Sequence, residues 1–273
     1  YMPHKIYGQY ISYMFATPTT RTWHDLYHAG KLNTVQGSFW ETKPAEELYD
    51  LQADPDEVNN LAESKKHAAI LQRLRTAQQA KAVAIRDIGF LPEGEIHSRA
   101  GDRAPYDMGH NPKLYAMEPI MAAAEQASSL KPEDTPALIK LFSHQDSAVR
   151  YWAAMGLLMR GEKAVAQGQG ALRRALGDKS TAVACTAAEA LGRYGKGKEV
   201  ALAAETLIQY GDGSKNDIFT AMLALNGLDY MDERAAKYSD QIKALPNSAA
   251  VTPGRMGAYI KNLLGKINAD LAK

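Results

Sequence analysis

From Met117 to the end of the chain, apolar residues recur at helical spacing in an alanine- and leucine-rich background, the pattern of helices packed on one another. The pattern also repeats. Val149-Arg-Tyr-Trp-Ala-Ala-Met-Gly-Leu157 aligns with Val183-Ala-Cys-Thr-Ala-Ala-Glu-Ala-Leu191 at an offset of 34 residues. At that offset Ala153, Ala187 and Ala221 coincide, as do Leu157, Leu191 and Leu225; Leu138 matches Leu172, Phe142 matches Leu176 and Tyr210, and Gly161 matches Gly195. Each unit reads as helix, short polar turn (Ser143-His-Gln-Asp146; Gly177-Asp-Lys-Ser180), helix and glycine. One such unit cannot bury its apolar face alone, so the spacing predicts a stacked α-solenoid. The small Ala-Ala pair lets two helices approach closely and the leucines fill the seam. Three units are clear, and a degenerate terminal one is expected near Ala235–Leu264.

The rest of the chain has a different texture. Residues 63–90 place Ile70, Leu71, Leu74, Ala77, Ala84, Ile85 and Ile88 near a 3.6-residue period interrupted by Lys81, which predicts a helix. Residues 91–118 carry Leu91-Pro-Glu-Gly94, Ala100-Gly-Asp-Arg-Ala-Pro105 and Gly109-His-Asn-Pro112, turn chemistry that reads as a linker or a surface-hugging loop. Residues 1–62 are rich in Tyr, Trp, His, Pro and Thr without a long period. Within them Glu47-Leu-Tyr-Asp-Leu51 reads as a short edge strand. Asp54-Pro-Asp-Glu57 then reads as a capped helix start, with Asp54 at the N-cap, Pro55 at the first helical position and Glu57 three residues after the cap. The fold class that follows is mainly α: a small α+β subdomain at 1–90, a linker at 91–116 and a helical repeat domain at 117–273.

Two resemblances sharpen this outline. Asp146-Ser-Ala-Val-Arg150 resembles the inter-helix turn and second-helix start of HEAT repeats; the tetratricopeptide family competes at this period, but its Trp, Tyr and Pro positions do not match. Glu47 through Leu61 resembles the E-L-Y-D-L, D-P-x-E-x-x-N-L signature near the C-terminal end of sulfatases of the alkaline-phosphatase-like superfamily. Pro18-Thr-Thr-Arg-Thr-Trp-His-Asp-Leu26, Ala29-Gly-Lys-Leu32 and Phe39-Trp40 resemble the preceding segment of heparan N-sulfatase-like members. This second likeness spans roughly residues 1–90 and implies a C-terminal subdomain packed beside a catalytic α/β domain.

The family's nucleophile does not come with it. A formylglycine arises there from a C/S-x-P-x-R motif, whereas Cys185, the one cysteine, is followed by Thr186-Ala-Ala-Glu189 inside a repeat helix. The resemblance therefore implies that formylglycine and calcium belong to a catalytic domain outside this chain, and that the chain itself has no catalytic residue, no metal ligand and no cofactor. The chain is expected to be a fragment or processed product of a longer, periplasmic or secreted enzyme acting on sulfated carbohydrate. Its expected partners are that catalytic domain and, for the repeats, a protein or a sulfated glycan. The alternative is a stand-alone HEAT-repeat interaction scaffold. Substrate contacts, if any, are expected from His4, Lys5, Tyr7, Tyr10 and Arg21, whose cationic and hydrogen-bonding groups suit an anionic sugar.

Composition adds exclusions. The net charge is +1 over 273 residues, with the basic residues scattered, so no field recruits nucleic acid. No run approaches the ~20 apolar residues of a membrane helix. His24-Asp-Leu-Tyr-His28 spaces two histidines as in zinc-protease helices, but Asp replaces the Glu base and no third ligand follows. Gly192-Arg-Tyr-Gly-Lys-Gly-Lys198 imitates a phosphate loop but follows a helix and has Glu199 where Ser or Thr is needed. Asp212-Gly-Ser-Lys-Asn-Asp217 lacks calcium-loop spacing and suits a loop ending in a cap. Tyr7, Tyr10 and Tyr13 could form a sugar-stacking face; three-residue spacing more often marks a buried stripe.

Overall fold

The computed structural model describes residues 1–250 and 254–272. It separates into two compact units, Tyr1–Asp87 and Ile88–Lys273, each built on helices: α1 (Pro18–His28), α2 (Thr34–Gly37) and α3 (Ala68–Ile85) in the first, and α4 (Glu93–Ala100), α5 (Pro105–Gly109), α6 (Met117–Ser128), α7 (Thr135–Leu141), α8 (Ser147–Arg160), α9 (Glu162–Ala175), α10 (Thr181–Tyr194), α11 (Lys198–Gly211), α12 (Ile218–Asp229), α13 (Ser239–Lys243) and α14 (Tyr259–Asp270) in the second.

The second unit is an α-solenoid. Helices α6, α8, α10, α12 and α14 touch in that order and form one layer; α7, α9 and α11 each pack against the even-numbered helices before and after them, and α13 against α14. The 34-residue register holds in packing: Ala153, Ala187 and Ala221, and Leu157, Leu191 and Leu225, are all fully buried. Polar turns end in caps. Asp146 accepts from the Ala148 amide (2.8 Å), Ser180 from Val183 (3.4 Å), and Asp217 from Phe219 and Thr220 (2.9 Å each). Where α8 turns directly into α9, Gly161 has φ +74°, open to glycine without strain. Part of the expected terminal repeat, residues 251–253, lies outside the described residues.

Residues 91–116 depart from the expected linker: they fold into α4 and α5 as part of the second unit. Their Pro and Gly residues are helix boundaries, with Pro105 opening α5 and Gly101 following α4. Helix α4 lies across the N-terminal ends of three even-numbered helices. Glu95 accepts from Ser147 Oγ (2.9 Å) at α8 and Ser180 Oγ (2.7 Å) at α10, and His97 stacks on Phe219 of α12 at 4.5 Å. Arg99 donates to both Glu95 (2.6 Å) and Asp146 (2.7 Å), and Trp152 Nε1 donates to the Phe90 carbonyl (2.8 Å). One repeat further on, Arg150 grips Asp178 with two 2.7 Å bonds. Burial alone would raise the Asp146 and Asp178 carboxyls, but the Arg99 and Arg150 guanidiniums outweigh it and hold both below the usual carboxylate range.

The first unit corrects two expectations. No strand forms among its described residues; one isolated antiparallel bridge joins Ile6 and Thr42. Residues 46–50 carry no regular structure, and the Asn60 side chain ties them down, accepting from the Leu48 amide (2.9 Å) and donating to the Glu46 carbonyl (2.9 Å). Asp54 caps a turn rather than a helix: it accepts from Val58 (3.2 Å) and Asn59 (2.8 Å), and Glu57 at φ +53° reverses the chain so that the Leu61 amide reaches the Leu48 carbonyl (2.7 Å). The expected helix does form as α3, with Ala82 its one buried residue.

Two outcomes follow for stability. A Cβ at Gly168 would lie 2.3 Å from a Leu157 methyl, whereas one at Gly265 meets nothing within 4 Å. Gly168→Val is expected to cost about 1–3 kcal/mol by overpacking, and Gly265→Ala to stabilise by about 0.5–1 kcal/mol, both read from urea unfolding. Arg99→Ala strands two carboxylates and is expected to cost about 2–4 kcal/mol at pH 7. Because the Asp146 carboxyl is depressed by Arg99, the stability it confers is present above about pH 4 and lost as pH falls through its folded value. The deficit of the variant should therefore shrink on acidification; an equal deficit at pH 7 and pH 4 would contradict the assignment.

Candidate functional site

Chemistry-bearing side chains of the first unit gather around an aromatic cluster. Trp40 is buried at its centre, with His24 (4.9 Å), Phe39 (5.2 Å), Trp23 (5.3 Å) and Phe15 (6.1 Å) around it, ring centre to ring centre. Trp23 stacks on Phe39 at 4.8 Å and donates Nε1 to the Gln36 carbonyl at 2.9 Å, fixing α1 against α2. Gly8 is required there, since a Cβ would lie 2.6 Å from the Trp40 ring. A shallow, mostly apolar cleft of about 470 Å³ opens beside α1, lined by Thr19, Thr22, Trp23, Leu26, Leu32 and Gln36. It offers a ring face and hydroxyls but no nucleophile or acid–base pair.

Of the residues expected to contact an anionic sugar, His4 and Lys5 are half-buried and Tyr7, Tyr10 and Arg21 are exposed. Tyr7 donates its hydroxyl to Glu47, with Lys43 Nζ 5.7 Å from its ring centre. Burial and Glu47 together raise that hydroxyl well above the usual phenol range. Tyr10 packs on Phe15 at 5.3 Å. Arg21 turns Nη1 onto the Phe15 (2.9 Å) and Ala16 (3.0 Å) carbonyls and so braces the loop entering α1. Tyr7, Tyr10 and Tyr13 are exposed and lie outside any helix, so the buried stripe is not formed.

On α1, His24 and His28 face each other, Nε2 to Nε2, at 3.0 Å. Among the described residues no group of three or more His, Cys, Asp or Glu is placed to hold a metal ion, and no helix is long and apolar enough to cross a membrane. Gly192–Lys198 joins α10 to α11 with no strand before it, and Asp217 caps α12. Cys185 is buried in α10, where burial pushes its thiol far above the thiolate range.

In the repeat unit, α8 and α10 are buried almost throughout, while α7, α9 and α11 turn Lys140, Lys163, Arg174 and Lys198 to solvent. A second polar cluster sits where α10 meets α12: Glu189, nearly buried, pairs with Arg193 (3.3 Å), whose guanidinium lies 5.3 and 5.5 Å from the rings of Tyr194 and Tyr230. Burial and Glu189 push the Tyr230 hydroxyl up to about 12. Sequence reasoning passed over this cluster and the Glu95–Arg99 network; the pairs Glu189 and Arg193, and Glu95 and Arg99, each four apart on a helix, were the local signals.

The HEAT repeat family is matched by residues 135–226, which cover α7 through most of α12. A 97-residue stretch, 35% of this chain, is 37% identical to an ulvan-active sulfatase of Formosa agariphila, and the chain spans 16% of that relative's length. No solved structure matches. The chain thus carries HEAT repeats on an α-solenoid and a limited likeness to one sulfatase.

Proposed function

We propose that this chain is the C-terminal, non-catalytic portion of a sulfatase acting on sulfated carbohydrate. The first unit completes the catalytic domain, and the repeats offer a platform for a protein or a sulfated glycan. Calcium and formylglycine would reside in that domain and not here.

The observation that carries the reading is the incompleteness of the first unit. It holds thirteen of the fifteen exposed large apolar side chains among the described residues, including Ile70 (43%) and Leu74 (47%) one turn apart on α3. In the same unit Asn60 satisfies Glu46 and Leu48, while the backbone groups of Glu47 and Tyr49 have no partner among the described residues. An open backbone edge and an uncovered apolar helix face suit docking onto a sheet and a core supplied from elsewhere. The 97-residue likeness to a sulfatase supports the identity of that fold. The alternative, a free-standing repeat scaffold, is favoured by the HEAT match alone.

Two measurements test the proposal. This chain alone is expected to turn over no aryl sulfate, and metal-dependent turnover would overturn it. Ile70→Glu with Leu74→Glu should change the unfolding free energy of this chain by less than about 0.5 kcal/mol, as exposed substitutions do. In the complete reading frame the same pair should lower both sulfatase activity and melting temperature. An upstream frame without a C/S-x-P-x-R motif would remove the mechanism and leave the scaffold.

A further inference from the structure

We propose that His24 and His28 form a two-imidazole chelate for a divalent transition-metal ion of the Cu²⁺ or Ni²⁺ type, a site independent of the sulfatase reading. The geometry points to it. The two Nε2 atoms are 3.0 Å apart. Metal–imidazole bonds of about 2.0–2.1 Å held at a right angle would place their nitrogens about 2.9 Å apart, so the observed separation fits cis ligands of a square-planar or octahedral ion, which suits Cu²⁺ or Ni²⁺ with N and O ligands. A tetrahedral angle would need about 3.4 Å.

The rings are held for the purpose. His24 packs edge-on against Phe15 (5.2 Å) and Trp40 (4.9 Å), and the ring of His28 stands at 79° to that of His24 with Tyr27 5.5 Å away. Packing fixes the direction of each nitrogen before an ion arrives, which lowers the ordering cost of binding. His28 is exposed and His24 half-buried, so water can fill the remaining coordination positions. In the metal-free pair one ring donates from Nε2 and the other accepts. On binding, the donor ring carries its proton on Nδ1 instead, both Nε2 lone pairs face the ion, and both rings stay neutral. The missing third ligand and the absent Glu base still argue against a hydrolytic zinc centre; the chelate is an open, exchangeable site.

Trp40 beside His24 provides the readout. Titrating the whole chain with Cu²⁺ at pH 7.5 is expected to quench tryptophan fluorescence saturably at one equivalent, reversibly with EDTA. The saturable phase should vanish in His28→Ala. A variant that saturates like the native chain would overturn the site. Paramagnetic resonance of the one-equivalent Cu²⁺ complex needs no variant: coupling to two imidazole nitrogens supports the chelate, and coupling to one or none overturns it.

Discussion

The solenoid depends on how closely its two helix layers approach. Leu157 occupies the space where a Cβ of Gly168 would sit, Leu138 does the same at Gly156, and Leu207 at Gly227. Each contact pairs a leucine of one layer with a glycine of the other, so interlayer distance is set by backbone rather than by side-chain volume. Close approach removes α8 and α10 from solvent almost completely. That burial in turn obliges every polar group at their ends to find a partner. The caps at Asp146, Ser180 and Asp217 meet this requirement locally, and the Arg150–Asp178 pair meets it between repeats.

Helix α4 is a consequence of the same constraint. Two helix N-termini converge on Glu95, whose single carboxylate accepts from Ser147, Ser180 and Arg99. A carboxylate is favoured there by the partial positive charge of both helices, and Arg99 balances the charge that Glu95 and Asp146 bring in. The segment from Phe90 to Ala100 thereby occupies the ends of α8, α10 and α12. The surface that α7, α9 and α11 expose is polar with interspersed lysines and arginines.

What could be read from the sequence was local and periodic. The 34-residue register, the Ala and Leu seam positions and the turns at Asp146 and Ser180 all sit within one helix pair, and the structure places them as the spacing demands. What escaped joins distant residues: Glu95 and Ser180 are 85 positions apart, and Trp152 and Phe90 are 62. No local pattern encodes such pairs. The misread elements share one cause, since turn-forming residues are ambiguous between loop and helix boundary. Pro105 and Gly101 punctuate α4 and α5 rather than a linker. Asp54, read as a helix cap, caps a reversal because Glu57 adopts a left-handed backbone that ends any helix at once. Of the five expected sugar-binding residues, Tyr7 holds Glu47, Tyr10 packs on Phe15 and Arg21 braces the loop carbonyls, and none of these contacts is visible in residue type.

The contrast in burial between the units bears most directly on function. In the second unit the helical period and the buried face coincide. In the first, α3 has the period without the burial: Ile70 and Leu74 repeat correctly, yet both stand near half-exposed. Each such side chain forgoes nearly half of the about 1.5–3 kcal/mol that full burial would supply. A helix of 18 residues with one buried alanine draws little packing stability from its own unit, although most helical stability in proteins comes from such packing. In the same unit, the backbone groups of Glu47 and Tyr49 make no hydrogen bond among the described residues, so the polar backbone there, like the apolar face of α3, is satisfied by solvent rather than by the unit's own packing.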